Sequence, residues 1–381
     1  MDRLKLGMVG GGEGSFIGAV HRQALRLDDS FELVAGAFSA TPSKSLQVGG
    51  ALGLDAERVY PTYQVMLEAE GKRPSHDRIQ CVSIVTPNNS HAEIAIAALQ
   101  AGFDVICDKP LTHRFEDALR LRDTVNSSGR VFALTHNYTG YPLVKQARAE
   151  IAAGRLGKLR KVIVEYSQGW LAQKLEAERD VWRTNPAVSG ISGCMGDIGT
   201  HAHNLLEYIT GQRVTAVCAD LTAFVEGRAL DDDGNVLLRM DGGARGILHA
   251  SQVCVGEENN LSIRVYGETG GLAWYQQQPN QLVCTSLSGN DQVIRAGLNH
   301  PLGTAALGAT RLPGGHPEGF IEAFANIYTA FASAVREGSV GNHDFPDIDA
   351  GVRGMAFLEA LVANAGGREK WTVIENDWSQ P

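Results

Sequence analysis

An aspartate and a histidine four residues apart, in G-D-I-G-T-H (Gly196–His201), have the types and spacing for proton chemistry. On a helix that spacing turns Asp197 and His201 to one face. An imidazole takes up a proton near neutral pH, and a nearby carboxylate orients it and stabilises its charged form. A second candidate is the lysine of C-D-K-P-L (Cys107–Leu111), which follows an apolar run. A cation such as Lys109 beside an alcohol stabilises the alkoxide that develops when the proton leaves. The third fragment is G-G-G-E-G-S-F-I-G (Gly10–Gly18), directly after an apolar run. Glycines there let the backbone approach a pyrophosphate, and the start of a following helix favours its negative charge. Each fragment alone also reads plainly as structure: a solvated intrahelical ion pair, a strand exit, a glycine turn.

The elements needed to position these groups are visible as patterns. Short apolar runs at Leu4–Val9, Glu32–Phe38, Cys81–Thr86, Val105–Asp108 and Val131–Thr135 alternate with amphipathic stretches such as His91–Ala101 and Phe115–Ser127. Interleaved strands and helices imply right-handed β-α-β units, hence an α/β chain beginning with a doubly wound parallel sheet. Ligands of such sheets bind beyond the carboxyl ends of the strands. The later sequence differs. A helical stretch at Tyr141–Ala153 precedes a strand at Lys161–Tyr166, and a helix over Asp197–Ile209 stops before Gly211, a left-handed cap. Strand-like runs then follow closely at Val214–Val225, Asn235–Met240, Gly246–Val253, Leu261–Tyr266 and Leu282–Ser286, with D-D-D-G-N and D-G-G as turns. That pattern predicts a second α/β domain on a large, open, mostly antiparallel sheet. Glu318–Arg336 is a long helix with Phe320, Phe324, Ile327 and Phe331 near 3.6 spacing, and Asn290–Pro317 is the longest expected loop. The boundary falls between domains 1–135 and 136–381.

Composition narrows the function classes. The chain has 381 residues, 44% of them hydrophobic, enough for two buried cores. Lys plus Arg (34) against Asp plus Glu (43) gives a net charge of -9 with no basic stripe, which excludes a nucleic-acid partner. The six cysteines are scattered without metal-type spacing and read as reduced thiols of a cytoplasmic protein. No apolar run is long enough to cross a bilayer and no separate leader precedes the first strand, so no membrane association is expected. No His/Cys/Asp grouping has zinc-ligand spacing.

At the glycine-rich end, Gly10 and Gly12 fill the first two positions of G-x-G-x-x-G, and Ser15 stands at the third. Gly14 and Gly18 suggest a lengthened loop running through Ser15, Phe16 and Ile17. The second strand ends F-S-A-T-P-S-K (Phe38–Lys44), where a site specific for NAD usually carries an acid. Ser39, with Ser43 and Lys44, replaces it; a hydroxyl and an ammonium suit a 2′-phosphate, which leans the reading toward NADP over NAD. T-P-N-N-S-H (Thr86–His91) follows the third strand and opens a helix.

In order and separation these segments resemble the Gfo/Idh/MocA oxidoreductases, which move a hydride between nicotinamide and a sugar or cyclitol. C-D-K-P-L is similar to the family's E-K-P, with Asp108 for glutamate; T-P-N-N-S-H to T-P-N-x-x-H; and G-D-I-G-T-H to D-x-G-x-H. The resemblance implies a Rossmann domain, a second domain whose open sheet packs on another subunit, and a homodimer or homotetramer. It implies that Thr86, Pro87, Asn88 and His91 lie along the nicotinamide ribose, and that Asp108 and Lys109 adjoin the cofactor before a proline peptide that is often cis. Lys109 would hydrogen-bond the reacting oxygen while His201, held by Asp197, takes the hydroxyl proton; lysine as the base stays open. V-W-R-T-N-P (Val181–Pro186), H-N-Y (His136–Tyr138) and G-G-H-P-E-G-F (Gly314–Phe320) add Arg183, His136, Tyr138 and His316 as substrate contacts, with a structural arginine and a helix-start histidine as alternatives. The substrate expected is an inositol, aldose, anhydrosugar or glycoside. Two rivals remain: a redox-neutral, nicotinamide-dependent glycosidase, and a non-catalytic nucleotide-binding protein.

Overall fold

The alternation in the first part of the chain becomes a parallel sheet in the computed structural model, which describes residues 2–174, 182–338 and 343–375. Its elements are β1 (Leu4–Gly10), α1 (Phe16–Leu27), β2 (Phe31–Ala37), α2 (Pro42–Ala51), α3 (Tyr63–Gly71), β3 (Cys81–Val85), α4 (His91–Gln100), β4 (Asp104–Cys107), α5 (Phe115–Ser128) and β5 (Phe132–Leu134). The strands lie in the order β2-β1-β3-β4-β5, every pairing parallel. Strands β3 and β4 are buried at every residue, as a sheet covered on both faces requires. A single parallel bridge between Gly36 and Val59 adds a rudimentary strand outside β2. Counting it restores the 3-2-1-4-5-6 order of a Rossmann sheet. One bridging residue is too short to show as a strand in sequence.

The second part holds α6 (Pro142–Ala152), β6 (Leu159–Ser167), α7 (Pro186–Ser189), a π-helical turn (Met195–Gly199), α8 (Thr200–Thr210), β7 (Val214–Thr222), β8 (Asp233–Met240), β9 (Arg245–Ser251), β10 (Asn260–Gly267), β11 (Gly270–Tyr275), β12 (Gln281–Ser286), β13 (Gln292–Arg295), α9 (Thr304–Gly308), α10 (Phe320–Glu337), α11 (Ile348–Gly366) and β14 (Thr372–Val373). Nine strands run in the order β13-β12-β11-β10-β6-β9-β8-β7-β14. All neighbours are antiparallel except β6 and β9. Helices α6 and α8 contact this sheet, and Ala202, Leu205, Leu206 and Ile209 of α8 are fully buried. Each buried leucine there is worth on the order of 1.5–3 kcal/mol. Gly211, left-handed at φ 66°, ends α8 with its N–H on Glu207 O.

The expected loop at Asn290–Pro317 carries β13 and α9 instead. Strand β11, glycine-led, and helix α11 were not anticipated. Nor does one cut at 135/136 divide the chain: the first compact unit comprises Met1–Thr112, Glu116–Asn137 and Phe324–Val352, and the second His113–Phe115, Tyr138–Ala323 and Arg353–Pro381. The return has a physical cause in the aromatic face of α10. Phe331 stacks on Phe31 of β2 at 6.0 Å, Tyr328 meets the same ring edge-on at 5.6 Å, and Arg336 donates to Ser30 O.

Candidate active site

The nucleotide end is built by close approach. A Cβ on Gly10 (φ +84°) would lie 2.6 Å from Val85 O, and one on Gly18 would lie 2.4 Å from Gly11 Cα. Gly18, inside α1, therefore does the helix-packing work of the third fingerprint glycine, and Ser15 does something else. Its Oγ caps α1 by accepting the Gly18 N–H at 3.1 Å. Arg22 braces the loop by donating to Gly11 O at 2.7 Å. Around Gly14 a Cβ would meet nothing within 4 Å, and Phe16 is exposed. A glycine turn at a parallel strand end, feeding a helix with no acid in its first turn, fits a dinucleotide pyrophosphate. Beyond β2, Ser39 Oγ accepts from Thr41 N at 3.1 Å, while Ser43 and Lys44 are exposed on the first turn of α2.

The segments after β3 and β4 brace each other. His91 is fully buried, with Nδ1 2.9 Å from Pro110 O and Nε2 2.9 Å from Thr86 O. Its imidazole thus pins the Lys109–Pro110 turn, with its cis peptide, to the Thr86 loop. Thr86 Oγ1 accepts from Ser90, and Asn88 is buried. Asp108 also turns inward. Its carboxylate accepts from Thr135 Oγ1 at 2.8 Å and lies 3.7 Å from His21 Nε2, an ion-pair distance beyond hydrogen-bond length. Burial raises its pKa, but His21, Lys109 and His91 together outweigh that and bring it to about 2. His21 Nδ1 in turn meets Tyr328 OH at 2.8 Å. The Asp108 side chain is therefore an internal anchor next to Lys109, which itself is half-buried.

In the second unit, topology gathers residues far apart in sequence. Because β6 and β9 are parallel, both end at the same side of the sheet, and antiparallel β10 begins there. Ser167 pairs with Ser251 and with Asn260. Tyr166, Gln168, Gln252 and Asn259 consequently cluster. The π turn carrying Asp197 is anchored beside them by Asp231, whose carboxylate accepts from Ser192 Oγ (2.8 Å), Gly193 N (2.9 Å) and Met195 N (2.8 Å). A single expected helix over Asp197–Ile209 is thus a π turn continued by α8; π turns recur at functional sites because they displace side chains from regular register.

Gln252 Nε2 donates to Asp197 Oδ2 at 2.8 Å. The His201 ring is buried, edge-on to Tyr138 with centroids 4.9 Å apart, and 6.3 Å from the Tyr166 ring. Tyr138 and Tyr166 share a short hydroxyl contact, and Asn259 bonds both. Burial raises the pKa of both phenols, so they stay protonated. Tyr208 packs under Arg148, and Glu207 pairs with Arg353 and His203.

Asp197, His201, Tyr138 and Arg183 belong to one neighbourhood. Arg183 lies over Trp182 at 4.5 Å and Trp170 at 5.9 Å, and the Trp170 indole N–H bonds Gln168. Val181 of its segment lies outside the described residues. His136 is buried after β5 in the first unit. His316 is exposed and lines a different place, an open cleft of about 490 Å³ with Asn280, Arg295, Asn299 and His300. Among the described residues no His/Cys/Asp/Glu group could hold a metal, and no helix is long and apolar enough to cross a membrane.

Residues 4–136 match the model of an oxidoreductase family with an NAD-binding Rossmann fold, and residues 144–273 match the GFO/IDH/MocA C-terminal domain. An uncharacterised oxidoreductase of Bacillus subtilis is 35% identical, covering 97% of this chain and 96% of its own. The chain belongs to the Gfo/Idh/MocA family. Levoglucosan dehydrogenase of Pseudarthrobacter phenanthrenivorans is 27% identical over 98% of this chain and 99% of its own. An inositol dehydrogenase homologue from Azotobacter vinelandii, solved with NADH and myo-inositol, superposes with a TM-score of 0.89 at 38% identity, covering 98% of each chain.

As a Gfo/Idh/MocA member, the protein is an oxidoreductase with an NAD-binding Rossmann domain. The residues that sequence reasoning missed are Tyr166, Gln168, Gln252, Asn259 and Asp231. Asp231 sits in D-D-D-G-N, read only as a turn; the others flank strand ends, and the pairing of β6 with both β9 and β10 makes them neighbours.

Proposed function

We propose that this Gfo/Idh/MocA oxidoreductase oxidises a ring hydroxyl of a cyclic polyol, with an inositol or a pyranose-type sugar or anhydrosugar as substrate, or reduces the matching ketone. The observation that carries the reading is the buried His201 beside Tyr138, with Asp197 held by Gln252 in the same cluster. His201 takes the proton of the reacting hydroxyl, Asp197 steadies the imidazole, and Lys109 offers the cation that stabilises the alkoxide. Tyr138 and Arg183 hold further hydroxyls. The bound nicotinamide supplies the hydride acceptor. Myo-inositol and levoglucosan in the relatives' names support a ring polyol.

For the coenzyme the sequence lean toward NADP is not carried over; we propose NAD. Ser39 Oγ is already tied to the Thr41 amide, leaving its own O–H to a ribose oxygen rather than an open phosphate cradle. NADH in the 38% identical homologue supports the same choice. Six cysteines without disulfides fit a cytoplasmic setting. The second unit's sheet supports a homodimer or homotetramer, argued below.

The test is a panel of inositols, sugars, anhydrosugars and glycosides with NAD and NADP, read by absorbance of the reduced coenzyme. Reduction on a ring polyol is expected. Free sugar released from glycosides without net reduction would replace this reading with the redox-neutral glycosidase; coenzyme binding without turnover on any polyol would leave a nucleotide-binding protein.

A further inference from the structure

The polar groups around His201 admit only one arrangement of their protons. The Trp170 indole can only donate, and it donates to Gln168 Oε1 at 2.9 Å. Gln168 Nε2 must then be the donor to Asn259 Oδ1, 2.8 Å away. That fixes the Asn259 amide, whose Nδ2 donates to the Tyr138 oxygen at 3.1 Å. Tyr166 gives its single proton to Asn259 Oδ1 at 2.7 Å, so the proton between the two phenols comes from Tyr138. At the other end, Gln252 Nε2 directs one hydrogen to Asp197 Oδ2 at 2.8 Å and the other toward Gln168 Oε1 at 3.4 Å. Gln252 is 1% exposed, and its backbone is fixed on both sides by Asp232 O and the Leu171 amide.

We propose that Gln252 is a positioning residue that holds Asp197 as a carboxylate, and that the line Gln252–Gln168–Asn259 commits the Tyr138 proton so that this hydroxyl meets the substrate as an acceptor. A donor amide facing Asp197 favours its ionised form, because an N–H bonds a charged carboxylate oxygen more strongly than that of a neutral carboxyl. Tyr138, its proton spent on Tyr166, recognises a substrate hydroxyl and not a carbonyl or ether oxygen. This selects the alcohol at that position of the ring. The inference deepens the dehydrogenase reading and uses it for its kinetic readouts.

Among the described residues the Asp197 charge raises the pKa of Tyr138 and Tyr166 from across the cluster and of Cys194 just before it, and His201 follows one turn later; Asp231, Asp232 and Asp233 also act on Cys194. Gln252→Glu keeps the shape but sets a second carboxyl against Asp197. The pair must then share a proton, so the acid limb of kcat/KM moves up by about one pH unit or more. Asn259→Leu, at the other end, raises KM for the polyol several-fold and leaves that limb in place. NADH affinity, read by fluorescence titration, is unchanged in both. An unmoved acid limb in Gln252→Glu, or an unchanged KM in Asn259→Leu, overturns the proposal. A carboxyl titration by ¹³C NMR, with Asp197→Asn to assign the signal, reads the Gln252 contact without turnover. An upward shift in Gln252→Glu is expected there, and an unshifted signal overturns the contact even if every polyol proves inert and the dehydrogenase reading itself has fallen.

Discussion

At the scale of single residues, His201 is the group with most at stake. It is buried beside the aromatic rings of Tyr138 and Tyr166 in its own unit. His201→Ala is expected to lower kcat on the order of 10²-fold or more while leaving NADH affinity nearly intact, as loss of a general base does. Stopped-flow reduction of the coenzyme checks this, and undiminished turnover removes the histidine from the chemistry. The proposed coenzyme choice rests on Ser39. Ser39→Asp introduces a charge that repels a 2′-phosphate, so kcat/KM with NADP falls at least about tenfold relative to NAD. An unchanged ratio would take Ser39 out of the ribose pocket. Asp197 and His201 stand out in sequence because they share one helix start; the cap made by Ser15 and the close packing of Gly18 on Gly11 did not, since spacing alone put Ser15 at the third fingerprint position. Gln252 and Asn259 were not legible, because their meaning depends on a strand pairing that no local pattern announces.

At the scale of elements, the π turn and its anchor matter more than helix propensity. Asp231 gathers three donors from Ser192, Gly193 and Met195, and removing it leaves those groups unpaired against the core. Asp231→Ala should cost about 2–3 kcal/mol, read as a lower denaturant midpoint, and should lower activity further by loosening Asp197. Stability equal to the parent would show that the turn holds itself. The far end of α8 gives a pH dependence. Burial raises the Glu207 pKa, but His203 and Arg353 outweigh it and bring it to about 2. A depressed carboxyl contributes stability that is fully present above its unfolded value and lost as pH falls through its folded one. The denaturant midpoint should therefore drop between about pH 4.5 and 2, and Glu207→Gln should be weaker at pH 7 but flatter across that window. A variant retaining the parent's slope would assign the acid sensitivity to other carboxyls. Helix α8 and its Gly211 cap were readable from periodicity; the π turn was not, since one extra residue in a turn leaves the apolar spacing almost unchanged.

At the scale of the whole molecule, the second unit's sheet raises the question of what lies on its second face. The helices α6 and α8 contact the sheet, and along β6 and β8 the burial alternates, with Val162, Val164, Val236 and Leu238 inside. The opposite positions hold Ile163, Leu237 at 47% exposure, Ile247 and Tyr266 at 41%, set among the Arg264–Glu165 pair and the His249–Asn235 bond. Exposed apolar side chains in the middle of a sheet face, set among bonded polar ones, suit an interface between copies. Under the homodimer or homotetramer proposed above, a second copy of this chain would cover this face. Leu237→Asp places a carboxylate in the middle of that face, where like charges from two copies would be buried together. The parent should run as a dimer or tetramer by light scattering at micromolar concentration, and the variant should shift to a smaller species while keeping its far-ultraviolet circular dichroism. A monomeric parent, or a variant of unchanged mass, would leave this face to solvent and place the assembly elsewhere.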